Sequence, residues 1–332
     1  MAGVKDKRYI CVIYLIALFL FTIFIGYAAV WQGYSLYVLL QSVISGLFLG
    51  SFYALLATGL TLSMGVAMLL NLTHGELVVL GGYITYLTWI YLGIEPLLAI
   101  PLAAITSSAV GAVIQGLVFG ITRPERRVRA GERESIFQAL LIMFALSIVL
   151  QNIMTMVFTA EQRTVISFLT GKSFNIFGYI IPYTRLVALI LALFSILGIH
   201  FFIFKTRTGI RIRATAQEKI AARLHGINVE STSILTFSLA SATAGIAGAL
   251  LAITTSFNAF SGINFIFFAF TIMVLAGFGE IKGVIVTGIV VGIAESLVAL
   301  FAGEAYRTLA VNILLLALFL IKPSGFFAKR MR

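Results

Sequence analysis

The sequence predicts an all-α fold, a polytopic membrane helical bundle of about ten spans with broken or re-entrant segments. Composition is the first observation: 61% of the 332 residues are hydrophobic and only 11% are charged, whereas a soluble domain carries about a quarter charged residues. Mean hydropathy is +1.08. The second is patterning. Apolar stretches about long enough to cross a bilayer alternate with short polar loops, and the basic residues collect in alternate loops. The third is what is missing. A single cysteine, Cys11, excludes an intrachain disulfide, and His74, His200 and His225 are too scattered to outline a metal site.

Taken in order, Lys5, Lys7 and Arg8 precede the apolar run Tyr9 to Val30. It has the length of a span and ends at Trp31 and Tyr34 with no clear small-residue cleavage site, so it reads as a retained first span rather than a secretory signal. Gln41 to Thr58 is the second span. Gly59 to Gly82 is an interrupted region, broken by Ser63, Gly65, Asn71, Thr73, His74, Gly75 and Glu76. Irregular backbone at membrane depth is tolerated only where protein or a water-filled cavity satisfies it. Spans follow from about Leu77 to Leu92 and from Leu97 to about Gly120, the second with Gly116 and Gly120 spaced for close helix contact.

Arg123 to Glu134 is a basic loop, and Ser135 to Phe158 a span carrying Gln151 and Asn152. After a mixed loop, Tyr179 to Phe204 spans and leads to the most polar long segment, KTRTGIRIRATAQEKIAARLHG at 205–226. Here Ile212, Ala216, Ile220 and Leu224 recur every fourth residue, which predicts one continuous helix. Ala214, Ala221 and Ala222 keep the surface around that face small. Gly226 ends the helix and Asn228 caps the next one. Ile234 to about Ile253 is a span with two small-residue rows, Ser241–Gly245–Ala249 and Ala244–Gly248. Asn264 to Gly279 and Gly283 to about Phe301 form a pair, with Gly288, Gly292 and Ser296 spaced by four. Tyr306 to Ile321 is the last span.

With the N-terminus inside, 19 of the 23 lysines and arginines fall on one side of the membrane, leaving Arg163, Lys172, Arg185 and Arg307 on the other. That asymmetry predicts cytoplasmic termini. It also accounts for the net charge of +11 without nucleic acid as a partner.

Gly171-Lys172-Ser173 matches only the end of a phosphate-binding loop, because Ile166 stands where the opening glycine belongs. No ATP site of the chain's own is expected. Asn71-Leu72-Thr73 fits a glycosylation sequon but lies at membrane depth. Polar groups within the membrane are the candidate functional residues: Asn71, Thr73, His74 and Glu76 in the interrupted region, Gln151 and Asn152, and Glu295 near the midplane. The plain alternative is that such residues only hold helices together. A loose echo between Gly59–Gly82 and about Gly262–Gly292 places a broken stretch in each half, the pattern of a transport path at a repeat interface. For the basic helix the plain reading is a juxtamembrane loop touching anionic lipid. The alanines favour a close-fitting protein partner.

With these residues in hand, the chain from about Gln41 to Phe326 resembles the integral-membrane permeases of branched-chain amino acid ABC importers. The resemblance rests on SGLFLGSFYALLATGLTLSMG, LNLTHGE at Leu70–Glu76, LSIVLQN at Leu146–Asn152, RIRATAQEKIAARLHGIN at Arg211–Asn228, VLAGFGEIKGVIVTGIVVGIAE at Val274–Glu295 and KPSGFF. It implies one permease domain over 1–332, with 1–35 an additional N-terminal span and 205–226 a cytoplasmic coupling helix. It implies a second permease subunit, two cytosolic ATPases that carry ATP and magnesium, and an extracytoplasmic binding protein, in a bacterial or archaeal plasma membrane. The coupling residues would be Arg211, Arg213, Ala214, Glu218, Ala221, Ala222 and Gly226. This chain departs from the family's proline turn at Gly279-Glu280-Ile281-Lys282-Gly283. Permeases for urea or short amides share the family, and an ion-coupled secondary transporter is the competing class.

Overall fold

The structure, a computed structural model, describes residues 33–313 apart from 34, 68–69, 122–123, 177, 278, 308 and 310. Helix α1 (Leu36–Ala67) is followed by α2 (His74–Leu92), α3 (Ile100–Ile121) and α4 (Pro124–Phe158). A two-stranded antiparallel hairpin, β1 (Ser173–Ile176) and β2 (Tyr179–Pro182), pairs Ser173 with Pro182 and leads into α5 (Tyr183–Lys205). Two short helices, α6 (Arg207–Gln217) and α7 (Lys219–Leu224), precede α8 (Val229–Thr254), α9 (Ser261–Ala276) and α10 (Ile281–Ala302). The fold is the expected all-α membrane bundle. Seven of the described helices are long and apolar enough to cross a membrane, and α9 is a shorter apolar helix. The expected span Tyr9–Val30 and most of Tyr306–Ile321 lie outside the described residues.

One expectation is corrected at once. The interruption does not begin at Gly59. Helix α1 runs unbroken through Gly59 and Gly65 for 32 residues, roughly 48 Å at the helical rise. Its glycines are contact points rather than breaks: a β-carbon at Gly59 would stand 2.8 Å from the His74 ring. The break is confined to the residues just before His74. There the Asn71 side-chain oxygen accepts from the Thr73 amide at 3.0 Å and from its hydroxyl at 2.7 Å. This local side-chain turn competes with helix and re-aims the chain.

The same device recurs after α8. Asn258 Oδ1 accepts from the Phe260 amide and from the Ser261 hydroxyl, both at 3.1 Å, and α9 starts at Ser261. The halves α1–α2–α3 and α8–α9–α10 therefore repeat. In each, a long helix ends at an asparagine turn and a second helix starts inside the bundle. They run in opposite senses, since α1 starts beside the hairpin and α8 starts after α7, at the other end. The repeat thus sets 36–121 against 229–302. The second break lies at 255–260, ahead of the stretch that the glycine echo picked out.

Each half's long helix packs against the other half's third helix, through small residues that admit close backbone approach. Between α1 and α10, a β-carbon at Gly46 would lie 2.6 Å from the Ile293 backbone and one at Gly50 2.7 Å from Gly288. The hydroxyls of Ser42 and Ser296 lie 3.1 Å apart. Between α8 and α3, Gly111 faces Ser241, Gly245 faces Ser107, and the hydroxyls of Ser108 and Ser238 lie 2.7 Å apart. The other α8 row turns Gly248 onto Val78 and Gly82 of α2. The expected contact at Gly116 and Gly120 is absent, with no neighbour within 4 Å of either among the described residues. Both glycines lie off the face of α3 that meets α8.

The core lies where α1, α2, α8 and α9 meet, around Leu56, Leu77, Tyr83, Leu250, Phe257 and Ile272. A second small cluster, Leu62, Val66, Ile203, Ile212 and Ile281, closes the basic end. At the opposite end, Tyr37 stacks on Tyr179 and donates to the Gly178 carbonyl at 2.7 Å, fixing the hairpin to α1. Lys172 leads into β1, which Ser173 opens, rather than into a helix, so Gly171–Ser173 is a hairpin entry and not a phosphate loop.

Candidate functional site: a junction of two broken helices

The two helices that begin inside the bundle begin against each other. Gly75 in the first turn of α2 and Gly262 in the first turn of α9 are in backbone contact, since a β-carbon on Gly262 would lie 3.0 Å from the Gly75 carbonyl carbon. Two helix N-termini, with their positive dipole ends, thus face one another. Such paired ends suit anionic groups and are a recurrent feature of transport sites. In this structure the contact is closed, and no solute fits between the two glycines.

Around the junction lie four of the residues that the sequence singles out. Asn71, Thr73, His74 and Glu76 are all buried. They do not form one cluster. The His74 Nε2 lies 3.0 Å from the Leu56 carbonyl of α1, whereas the Glu76 carboxylate, two residues on, faces Ser147 of α4. Positions two apart on a helix point to nearly opposite sides, so the pair is split between two interfaces. Asn71 Nδ2, His74 Nδ1 and Glu76 Oε2 are buried without a hydrogen-bond partner among the described residues. Groups in that condition are normally satisfied by water or by a polar solute. Asn71, fully buried, is no acceptor for a glycan.

Glu295 is elsewhere, on the face of α10 that meets α1. Its Oε1 accepts from the Tyr53 hydroxyl at 3.1 Å and from Arg307 Nε at 2.5 Å, and Arg307 also reaches Glu304. Tyr53 stacks on Phe268 of α9. The carboxylate therefore ties α1 and α10 to the segment after α10. Sequence reading missed Tyr53 and Arg307, which no spacing links to Glu295.

Gln151 and Asn152 join neither group. Asn152 is exposed and donates to the Ile148 carbonyl of its own helix at 2.8 Å, and Gln151 is half-buried. Both lie on α4, which packs only lightly on the bundle.

The basic segment is not one helix. It breaks at Glu218, whose extended backbone ends α6 and whose carboxylate accepts from the Ile220 amide at 3.3 Å, capping α7. Thr206 caps α6 by accepting from the Gly209 amide at 3.0 Å. The break divides the four-residue stripe. Ile212 stays buried against α1 and α5, while Ile220 is 70% and Leu224 83% exposed. Ala222 is only 3% exposed and faces this chain, and Ala214 and Ala221 are half-buried. Gly226, at φ +78°, lies just beyond α7, and Asn228 Oδ1 caps α8 from the Ser231 amide at 3.0 Å. The freely presented side chains of α7 are thus the large Ile220, Arg223 and Leu224 rather than alanine.

Residues 42–322 match the family model described as branched-chain amino acid transport system / permease component. The chain belongs to this family. Among curated relatives, the high-affinity branched-chain amino acid transport system permease protein BraD of Pseudomonas aeruginosa is 29% identical, over 89% of this chain and 97% of its own length. The permease protein LivH of Escherichia coli K12 is also 29% identical, over 87% of this chain and 96% of its own. A probable LivH of Methanocaldococcus jannaschii is 25% identical over 82% and 87%. The protein is a multi-pass membrane permease component of the ABC importer class and is not itself the catalytic subunit. The match takes in both asparagine turns and the junction between them. The matches do not favour the ion-coupled alternative.

Proposed function

We propose that this permease carries branched-chain or other hydrophobic amino acids into the cell. The observation that supports this reading most is the family match across both repeats, together with relatives named for branched-chain amino acid transport. In this reading the chain pairs with a second permease subunit in the plasma membrane of a bacterium or archaeon, with both termini cytoplasmic. An extracytoplasmic binding protein delivers substrate. Two cytosolic ATPases bind ATP and magnesium, and this chain holds no cofactor of its own.

The segment 205–226 is the coupling element. We assign its partner contact to α7, where Ile220 and Leu224 stand exposed four residues apart, flanked by Arg211, Ala214, Glu218 and Ala221. An aliphatic pair with a basic surround suits an apolar groove rimmed by acids. Gly226 ends the element and returns the chain to α8. The α2–α9 junction, with Asn71, Thr73, His74 and Glu76, is the part of the transport path that rearranges, because its closed backbone contact has to open for a solute to use it.

Reconstitution tests the reading. The full complex in proteoliposomes, supplied with binding protein and internal ATP at the ATPase face, is expected to accumulate radiolabelled leucine, isoleucine or valine. Uptake should require ATP and survive collapse of ion gradients. Transport of urea with no response to leucine would transfer the protein to the amide-carrying branch, and uptake driven by an ion gradient without ATP would overturn the importer reading.

A further inference from the structure

The basic segment has a second face, which the coupling role leaves unused. At Thr206 the chain turns sharply from α5 into α6, so tightly that a β-carbon at Gly209 would meet the Phe202 carbonyl at 2.5 Å. This lays α6 back across the last turn of α5. Arg213 accordingly reaches toward the bundle rather than away from it, its guanidinium carbon 5.1 Å from the centre of the Phe204 ring. His200, one turn back on α5, lies 4.5 Å from the same ring. Phe204 itself is exposed, the last of a row Phe194, Leu197, Phe201 and Phe204 that runs down one outward face of α5. That row is wholly apolar and has the spacing of a lipid-facing stripe.

The charges here are unbalanced. Arg213 Nε is buried without a partner. Lys205 and Arg207 are exposed on the same segment, and among the described residues none of these three enters an ion pair. A guanidinium stacked on an aromatic ring, with donors left over, at the height where an apolar stripe gives way to cations, is matched to a phosphate whose acyl chains lie along the stripe.

We propose that Arg213, with Phe204 and the neighbouring cations, forms a binding site for the headgroup of an anionic phospholipid. The acyl chains occupy the Phe194–Phe204 face of α5. The site is separate from the aliphatic pair on α7 and does not depend on which substrate the permease carries.

Native mass spectrometry of the full-length chain in detergent, titrated with dioleoyl phosphatidylglycerol and separately with dioleoyl phosphatidylcholine, tests this. The wild type is expected to retain phosphatidylglycerol preferentially. Arg213→Gln is expected to weaken that retention roughly fivefold, the effect of one interfacial cation, and to leave phosphatidylcholine binding unchanged, which also reports that the variant is folded. Lys172→Gln, at the opposite end of the bundle, is expected to change neither. Undiminished phosphatidylglycerol binding by Arg213→Gln would overturn the site. Displacement of the lipid by inorganic phosphate would make it a free-phosphate site and overturn the lipid assignment. An Arg213→Gln variant that keeps the lipid but loses the ATPase on co-purification would return Arg213 to the coupling surface.

Discussion

Gly75 and Gly262 touch through their backbones, a contact between residues from opposite halves of the chain that joins the first turns of α2 and α9. A side chain at Gly75 is excluded in this arrangement, and one at Gly262 would be crowded, with a β-carbon 3.0 Å from the Gly75 carbonyl carbon. At Gly75 a β-carbon would fall onto the Gly262 carbonyl oxygen, which is backbone and cannot rotate away. Gly75→Ala is therefore expected to force the two helices apart and to destabilise the protein by about 1–3 kcal/mol. A lowered thermal midpoint in detergent, with uptake reduced, would bear this out. An unchanged midpoint would show that the two N-termini are not in contact in solution.

The glycines of α10 and α3 make a paired comparison. Gly292→Ala is expected to be destabilising, because its β-carbon would meet the backbone of Gly50 and Gly46. Gly116→Ala and Gly120→Ala meet nothing among the described residues. They should be neutral or stabilising, by up to roughly 1 kcal/mol from helix propensity. Thermal unfolding of the three variants side by side decides the matter, and equal losses at all three would contradict the packing described for α3.

Glu295 is buried and its main charge partner is Arg307. Arg307→Gln leaves that carboxylate uncompensated and is expected to cost about 3–5 kcal/mol. Glu295→Gln removes the charge itself while keeping an acceptor for Tyr53, so the double variant Glu295→Gln/Arg307→Gln should be more stable than Arg307→Gln alone. Strictly additive losses in that cycle would mean that the two residues do not interact.

The coupling surface is tested by placing charge on its aliphatic pair. Ile220→Asp and Leu224→Asp place acids on exposed positions of α7, where the isolated fold has nothing to lose. Membrane insertion and thermal stability should be unchanged while ATPase co-purification falls by tenfold or more, about 1.4 kcal/mol or greater. Ala222→Trp behaves differently, because Ala222 is buried within this chain. It should reduce stability before it affects any partner. Normal ATPase binding by both aspartate variants would remove α7 from the interface.

Orientation follows from the basic end. In a Cys11→Ser background, single cysteines at Lys219 and Lys172 should respond oppositely to an impermeant thiol reagent in intact cells, with 172 labelled and 219 protected. The reverse pattern would invert the proposed topology.

Composition and hydropathy alone determined that this protein is a helical membrane bundle, because twenty-residue apolar runs have few alternatives in a bilayer. The small-residue rows Gly288–Gly292–Ser296 and Ser241–Gly245 were also legible, since only close helix contact makes use of such spacing, and both pack as read. The same rule misled at Gly116 and Gly120, because spacing does not say whether a neighbour exists on that side. Local chemistry was read less well. Glycine suggested a break at Gly59, where close packing instead keeps α1 helical, and the periodicity of Ile212, Ala216, Ile220 and Leu224 hid the break at Glu218, where a carboxylate caps α7 and ends the stripe. What tertiary structure alone decided is long-range: that His74 and Glu76 serve different interfaces, that Glu295 finds Tyr53 and Arg307, and that two asparagine turns 187 residues apart bring Gly75 against Gly262. No local pattern encodes these meetings, because each depends on how two inverted halves dock.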